Sequence, residues 1–311
     1  MLINKFDTHC SNDTHGCYQI LLANKIEVKK FVKIIPSELK DFYRDIDQLQ
    51  GALSKASENM FAISPMLEEV ELHNEGVVGI VYEYIDHKYF EVGRTDINSI
   101  IQAIGKLHLV YSSSSANLTR FQSISRKNGE LLNQKLVNLY QDFPNNIEIP
   151  KDIIEFIGNN SDSYINYYDK SLNDSEDCSM VHGDLNFGNI IFDTNNPALP
   201  IILDFEDSLI SWLPQNTDVA TIIQRFLLSD NQKDLKLRER ICNLLTEYDK
   251  ITNNSAFTSL DELWDTLRFL SLRALGRLCI NVIEGIPIQR TELSKFVQLH
   301  TEAGSLQETY S

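Results

Sequence analysis

Residues Val181 to Ser208, VHGDLNFGNIIFDTNNPALPIILDFEDS, constrain the fold of this chain more than any other stretch. Ile190, Ile191 and Phe192 make one β-prone run, and Ile201, Ile202 and Leu203 make a second. Between them lies Asp-Thr-Asn-Asn-Pro, whose residues turn a chain for steric and local hydrogen-bonding reasons, so the segment predicts a hairpin. Such a hairpin sets Asn189, at the start of its first strand, and Asp204, just past the end of its second, at one edge. Asp184, in the preceding loop, can face them. Mg²⁺ takes hard oxygen ligands and usually only one or two from protein, leaving the rest to water and substrate phosphates. Asn189 and Asp204 suit that demand as metal ligands. Asp184 is then left to orient a substrate hydroxyl and accept its proton.

The order His182-Gly183-Asp184, then Asn189, then Asp204-Phe205 after a hairpin resembles the catalytic segment of the aminoglycoside phosphotransferase and choline kinase family. Protein kinases carry a related Asp and Asn five apart with a later Asp-Phe-Gly. Here the later triplet is Asp204-Phe205-Glu206, closer to the small-molecule branch. The resemblance implies an α+β, bilobal protein-kinase-like fold. Residues 1–85 would form a small antiparallel β N-lobe with one helix, and residues 86–311 a larger, mainly helical C-lobe holding the catalytic loop, the metal site and the acceptor site. It implies transfer of the γ-phosphoryl group of ATP, or GTP, with Mg²⁺, to a hydroxyl of an aminoglycoside-like antibiotic, an amino alcohol or a sugar. Antibiotic resistance is one role within that class. A catalytically silent kinase-like module that binds a nucleotide or a partner is the alternative. His182 reads as a brace for the loop and Gly183 as a tight backbone turn. Glu206 and Asp207 read equally as supports of the site or as the solvated start of a loop.

Composition narrows the class. The chain has 311 residues, 42% of them hydrophobic, enough for a packed core. It contains no long uncharged apolar run, and MLINKFDTHC lacks the basic-then-apolar build of a signal peptide, so a soluble cytoplasmic protein is expected. Cys10, Cys17, Cys178, Cys242 and Cys279 are dispersed, without paired C-x-x-C spacing, and read as reduced thiols. Cys10 and Cys17 with His9 and His15 imitate a metal cluster only loosely. Acidic residues outnumber basic ones 44 to 28, for a formal net charge of -16. That balance argues against nucleic acid as a partner and would draw in a cationic acceptor. Solubility is the preferred account of it unless the acidic residues line a pocket.

Residues 1 to about 36 alternate β-prone runs with turns, which predicts three antiparallel strands. The loop from His9 to Gly16 stands where the resembling fold places its phosphate-covering hairpin, but it has a single glycine. Lys33 sits among strand hydrophobics in Phe31-Val32-Lys33-Ile34-Ile35, where a charge needs a partner or an anionic ligand. In the resembling family a third-strand lysine contacts the nucleotide phosphates; Lys33 fills that place, with Lys29 and Lys30 as alternatives. After Pro36 a helix opens with Phe42, Ile46, Leu49 and Leu53 on one face. The resemblance places on it an acid that pairs with the lysine, and Asp45 fills the slot where Glu is usual. Val77 to Ile85 reads as a buried strand running into a connector, where the backbone around Glu83, Tyr84 and Ile85 would by resemblance hold the adenine ring.

From Asp96 onwards helical spacing dominates. Ile97, Ile100, Ile101, Ile104 and Leu107 form one stripe that ends before Ser112 to Ser115, with His108 as a core histidine. Leu131, Leu132, Leu136 and Leu139 form another, and Ile153, Ile154 and Ile157 a third, with a break at Pro144. Asp218 reads as a helix N-cap of structural role. The interval from Asp204 to Asp218 is too short for the activation segment of a protein kinase and lacks its Ala-Pro-Glu anchor, which argues against a protein substrate. Leu263 to Ile283 reads as a core-packing helix with solvated arginines at 268, 273 and 277. The tail after Leu299 has no persistent pattern and is expected to fray.

Overall fold

The computed structural model describes residues 2–5, 15–21, 27–56, 62–63, 66–71, 76–83, 85–90, 97–113, 116–144, 149–173, 176–228 and 236–310. The loop at residues 9–14, the turn at 23–25, Tyr84, Asp96 and residues 114–115 and 145–146 lie outside them.

In chain order the strands β1 (Leu2–Lys5), β2 (His15–Leu21) and β3 (Glu27–Pro36) come first, as the alternating runs predict. Pro36 ends β3, and after one 3-10 turn α1 (Lys40–Ala56) follows. Then come β4 (Ala62–Ile63), β5 (Met66–Glu71), β6 (Val77–Glu83) and β7 (His87–Tyr89). The sheet order is β1-β2-β3-β6-β5, antiparallel throughout, with Lys33 opposite Ile80. Helix α1 joins this sheet to the rest of the molecule. Near its start Tyr43 packs with Ile35, Val78 and Ile80, while Ile46, Leu49 and Leu53, at helical spacing, enter the main core.

The remainder is largely helical: α2 (Ile97–Tyr111), α3 (Ala116–Gln141) and α4 (Lys151–Ser171) precede β8 (Cys178–Met180). The expected hairpin forms as β9 (Ile190–Asp193) and β10 (Asn196–Ile202), with Ile190 opposite Ile202. It is flanked by β7 on β9 and by a short parallel pairing of β4 with β10. After β11 (Trp212–Pro214), which pairs with β8, come α5 (Asn216–Ile222), a π turn at Ile223–Leu227, α6 (Leu237–Thr252), α7 (Leu260–Ile283) and α8 (Arg290–Tyr310). Cys178, Cys242 and Cys279 form no disulfide. Among the described residues no helix is long and apolar enough to cross a membrane.

Three expectations change. Leu131 is 58% exposed, so the α3 stripe begins farther on, with Leu136 and Leu139 buried. The tail does not fray. Leu293, His300 and Ala303 bury one face of α8 against the body, with half-buried Phe296 between them, a helical spacing hidden because a histidine stands in the stripe. The arginines of α7 are not all solvated, since Arg273 is 4% exposed.

His300 carries a pH prediction. Its ring lies edge-on to Phe156 at 5.1 Å, and Nε2 is buried without a hydrogen-bond partner. Burial, helped by the charge of Arg268, pushes its pKa down to about 4. The unfolded chain then binds the proton that the folded chain refuses, so stability is lost as pH falls from the ordinary histidine value through about 4. After allowance for partial solvent screening the loss is about 2 kcal/mol. Urea unfolding of His300→Phe should show a correspondingly flatter dependence across that window; an unchanged slope would assign the acid sensitivity elsewhere.

Candidate active site

Strand β8 delivers Val181, His182, Gly183 and Asp184 to the surface of the core. Gly183 has φ +85°, and a Cβ there would lie 2.5 Å from Ser211 Oγ and 3.2 Å from Asp207 Cβ. No other residue type fits that conformation and space. The loop is braced from behind by Asp218, which accepts from His182 N at 2.8 Å, Gly183 N at 3.0 Å and His108 Nε2 at 3.1 Å. His108 Nδ1 in turn lies 2.7 Å from Tyr248 Oη. Burial pushes the Asp218 carboxyl up, but the His108 hydrogen bond, the histidine charges and the Gly183 N–H outweigh it and hold it below the usual range. Asp218 is therefore not an N-cap. It lies inside the first turn of α5 with its carboxylate turned onto the loop, because two buried backbone N–H groups there have greater need of an acceptor.

His182 acts as a brace too: Nε2 donates to Leu203 O at 2.9 Å, and the ring packs on Phe205. Asp184 accepts from Asn186 Nδ2 and Asn189 Nδ2, each at 3.0 Å. Asn189 Nδ2 also donates to Asp184 O at 2.8 Å. Leu203 N donates to Asn189 O at 2.9 Å, which ties Asn189 to the residue before Asp204. Asp204 itself adopts φ +60°, a left-handed conformation that Asp tolerates better than most residues. From the other sheet Lys33, buried at 6% exposure, reaches Asp204 Oδ1 at 3.4 Å and pairs with Glu206, 5.3 Å from the centre of the Tyr43 ring.

Asp204 acts electrostatically on both Asp184 and Glu206, and the environments of the three carboxyls separate them. Burial raises Asp204, but the Lys33 charge prevails and holds it below the usual range. Burial and the neighbouring Asp204 charge push Glu206 up to about 7. Asp184 remains open to solvent yet is ringed by protein; burial first and the Asp207 charge second raise it. Asp207 is held by Arg277 at 2.6 and 3.0 Å.

Asp184 and Asn189 come together, as do Lys33 and Asp204, and Asp184 feels the charge of Asp204. Asp45 does not join them. Its carboxylate accepts from Arg120 of α3, and Glu206 takes the place beside Lys33. Tyr43 is the α1 residue that faces Lys33, and Asp45, two positions on, lies roughly 200° around the helix. Glu83 is exposed at the end of β6, and Ile85 O accepts from His87 Nδ1 at 2.7 Å. Arg225 and Arg277, both within the field of Asp184, have no place in the motif. For Arg277 a signal exists: with Arg273 it is four apart on α7, among Leu272, Leu275 and Gly276. A cavity of about 1240 Å³ lies elsewhere, walled by residues such as Tyr167, Gln215, Glu262 and Phe269.

The residues present fit Mg²⁺. Asn189 engages its Nδ2 twice on Asp184, which leaves Oδ1 as the end to face a metal, and Asp204 is held ionised. No group of three or more His, Cys, Asp or Glu positioned for a metal occurs among the described residues. An amide and one carboxylate are a partial set, the kind that water and phosphate complete.

An aspartate held by two side-chain amides and a lysine-paired aspartate, with a five-stranded antiparallel sheet and a helical body, define a protein-kinase-like phosphotransferase fold. Residues 18–231, more than half of the chain, match the model of the phosphotransferase enzyme family (APH), and the chain belongs to that family. Among solved structures it is similar to the amicoumacin kinase hAmiN in complex with AMP-PNP, Ca²⁺ and Ami: TM-score 0.61, 13% identity, covering 97% of this chain and 87% of that one. It is also similar to the GDP complex of wild-type aminoglycoside 2'-phosphotransferase-IIIa, with TM-score 0.60 and 13% identity over 99% of this chain and 93% of the other. The choline kinase LicA from Streptococcus pneumoniae has TM-score 0.56 and 12% identity, covering 97% and 94%. At these identities the likeness is one of fold. No curated protein matches the chain in sequence.

Proposed function

We propose that the chain is a cytoplasmic, Mg²⁺-dependent kinase that transfers the γ-phosphoryl group of ATP, or GTP, to a hydroxyl of a small molecule. The observation that carries this reading is the pairing of Asp184 with Asn189 at 3.0 Å beside the pairing of Lys33 with Asp204 at 3.4 Å. Asp184 orients the acceptor O–H and takes its proton on a carboxylate oxygen as the new O–P bond forms and the bond from the γ-phosphorus to the β,γ-bridging oxygen breaks. The raised pKa of Asp184 brings it closer to the acceptor's proton affinity, while Asn186 and Asn189 keep its orientation. Lys33 would exchange Glu206 and Asp204 for phosphate oxygens. Asn189 and Asp204 would hold Mg²⁺, which supplies charge neutralisation to the phosphates. Catalysis of this kind is positioning plus electrostatics. In this reading residues 1–85 hold the nucleotide, with the backbone at Glu83 and Ile85 beside the base, and residues 86–311 hold the acceptor.

Solved relatives of this fold are named as an amicoumacin kinase, an aminoglycoside phosphotransferase and a choline kinase, which supports a small acceptor of that kind; the net charge of -16 favours a cationic one. The short run from Asp204 to Asp218, folded into one 3-10 turn and β11, leaves no platform for a peptide. The test is phosphoryl transfer from ATP or GTP to a panel of aminoglycosides, amino alcohols and sugars. Transfer should appear with at least one acceptor and fall by about 10²–10⁴-fold in Asp184→Asn. Nucleotide binding without transfer to any acceptor would favour the silent module instead, a reading that the absence of Asp45 from the Lys33 pairing would then explain.

A further inference from the structure

Between α5 and α7, behind the main chain of Gly183, lies a cavity of about 60 Å³ lined by Gly183, Thr217, Asp218, Thr221, Arg273 and Arg277, among others. Arg273 is 4% exposed, and neither its Nη1 nor its Nη2 has a hydrogen-bond partner. A guanidinium presents five donors and stays charged, so burying it unpaired is costly and calls for an anion. The neighbouring acids do not meet that need. Asp207 is held bidentately by Arg277, and the Asp218 oxygens are taken by His182 N, Gly183 N and His108 Nε2. Tyr164, whose field Arg273 feels, is itself buried with an unpartnered hydroxyl. Burial first and the like charge of Arg277 lower the Arg273 pKa to about 10, against the opposing field of Tyr164, which still leaves it cationic at neutral pH.

We propose that this cavity is a subsite for a small monovalent anionic group of carboxylate size, held by Arg273. The volume admits a carboxylate or a halide and excludes a sugar ring. Gly183 both lines it and precedes Asp184, so an anion there is anchored one residue from the proposed proton acceptor. Two sources share this chemistry: a carboxylate carried by the acceptor, or a free ion such as chloride. Anion binding stands independently of phosphoryl transfer; only its assignment to the acceptor rests on the function proposed above.

The experiment is thermal unfolding of the full chain in sodium formate, sodium chloride and the sodium salt of a bulky sulfonate at matched ionic strength. Formate should raise the midpoint saturably, by about 2 °C at tenfold excess over its dissociation constant, and the sulfonate should not. Arg273→Met should lose the rise. Should that variant fail to fold, Ala274→Leu, which fills the cavity from its wall and leaves Arg273 in place, should lose it as well. No saturable rise in the wild-type chain, or an undiminished rise in Ala274→Leu, overturns the proposal. With small hydroxy acids and their methyl esters as acceptors, formate that raises KM for the acid alone assigns the cavity to the acceptor's carboxylate. A saturable midpoint shift without any effect on acceptor KM assigns it to a free ion. Absence of transfer to every acceptor would remove the functional reading while the unfolding data still decide the subsite.

Discussion

Asp204→Asn is expected to lower turnover by about a thousandfold or more, since it removes a metal ligand and the counter-charge of Lys33 in one step. The substitution is chosen to leave the fold alone. Asn tolerates the left-handed conformation at φ +60° nearly as well as Asp, and it occupies the same volume. It also relieves repulsion, because Asp204 raises the pKa of both Asp184 and Glu206. That gain is opposed by loss of the Lys33 pairing that holds Asp204 ionised, so the melting midpoint is expected to hold or to fall slightly while activity disappears. The second readout is nucleotide affinity measured with and without Mg²⁺: the wild-type chain should bind more tightly with the ion, and the variant should lose that difference. A variant that keeps more than a tenth of the wild-type rate would sink the metal assignment, because a loose, charge-rich transition state cannot dispense with a ligand of its neutralising ion.

The parts of this site that were legible in the sequence are those that local chemistry determines. Two β-prone runs around Asp-Thr-Asn-Asn-Pro can hardly avoid a hairpin, and the hairpin brings Asn189 next to the residue before Asp204. Lys33 between Val32 and Ile34 announces a buried charge in need of a partner. What stayed hidden depends on which way a side chain turns in three dimensions. The identity of the Lys33 partner is decided by the rotation of α1, which presents Tyr43 and carries Asp45 towards Arg120. The role of Asp218 is decided by a loop 35 positions earlier in the chain, whose backbone donors no local pattern reveals. The α8 face has no clear local signature because a histidine stands in its stripe, and only the fold buries His300 against Phe156. Arginines are mostly exposed, so Arg273 reads as solvated, whereas the apolar spacing of its own helix turns it inward.

Asp218→Leu should have the largest effect on stability, about 3–5 kcal/mol by denaturant unfolding. Asp218 is 1% exposed, and its carboxylate is the acceptor for two buried backbone N–H groups and for His108 Nε2. Leucine has the same branched skeleton with bulkier methyl ends and no acceptor, so three donors lose their partner and the site is overpacked as well. The loss should be shared rather than additive. In His108→Leu the Asp218 carboxylate loses one donor and Tyr248 Oη loses its contact, yet the loop N–H groups keep their acceptor. Once Asp218 is already leucine, removing His108 deletes a donor that has nothing to donate to. The double variant should therefore cost about 1–2 kcal/mol less than the sum of the two singles. Simple additivity would mean that His108 and Asp218 support the loop separately, and that the path from α2 through α5 to Gly183 is not one network. If the network holds, activity should fall with it, because the same carboxylate sets the conformation of Gly183 that places Asp184.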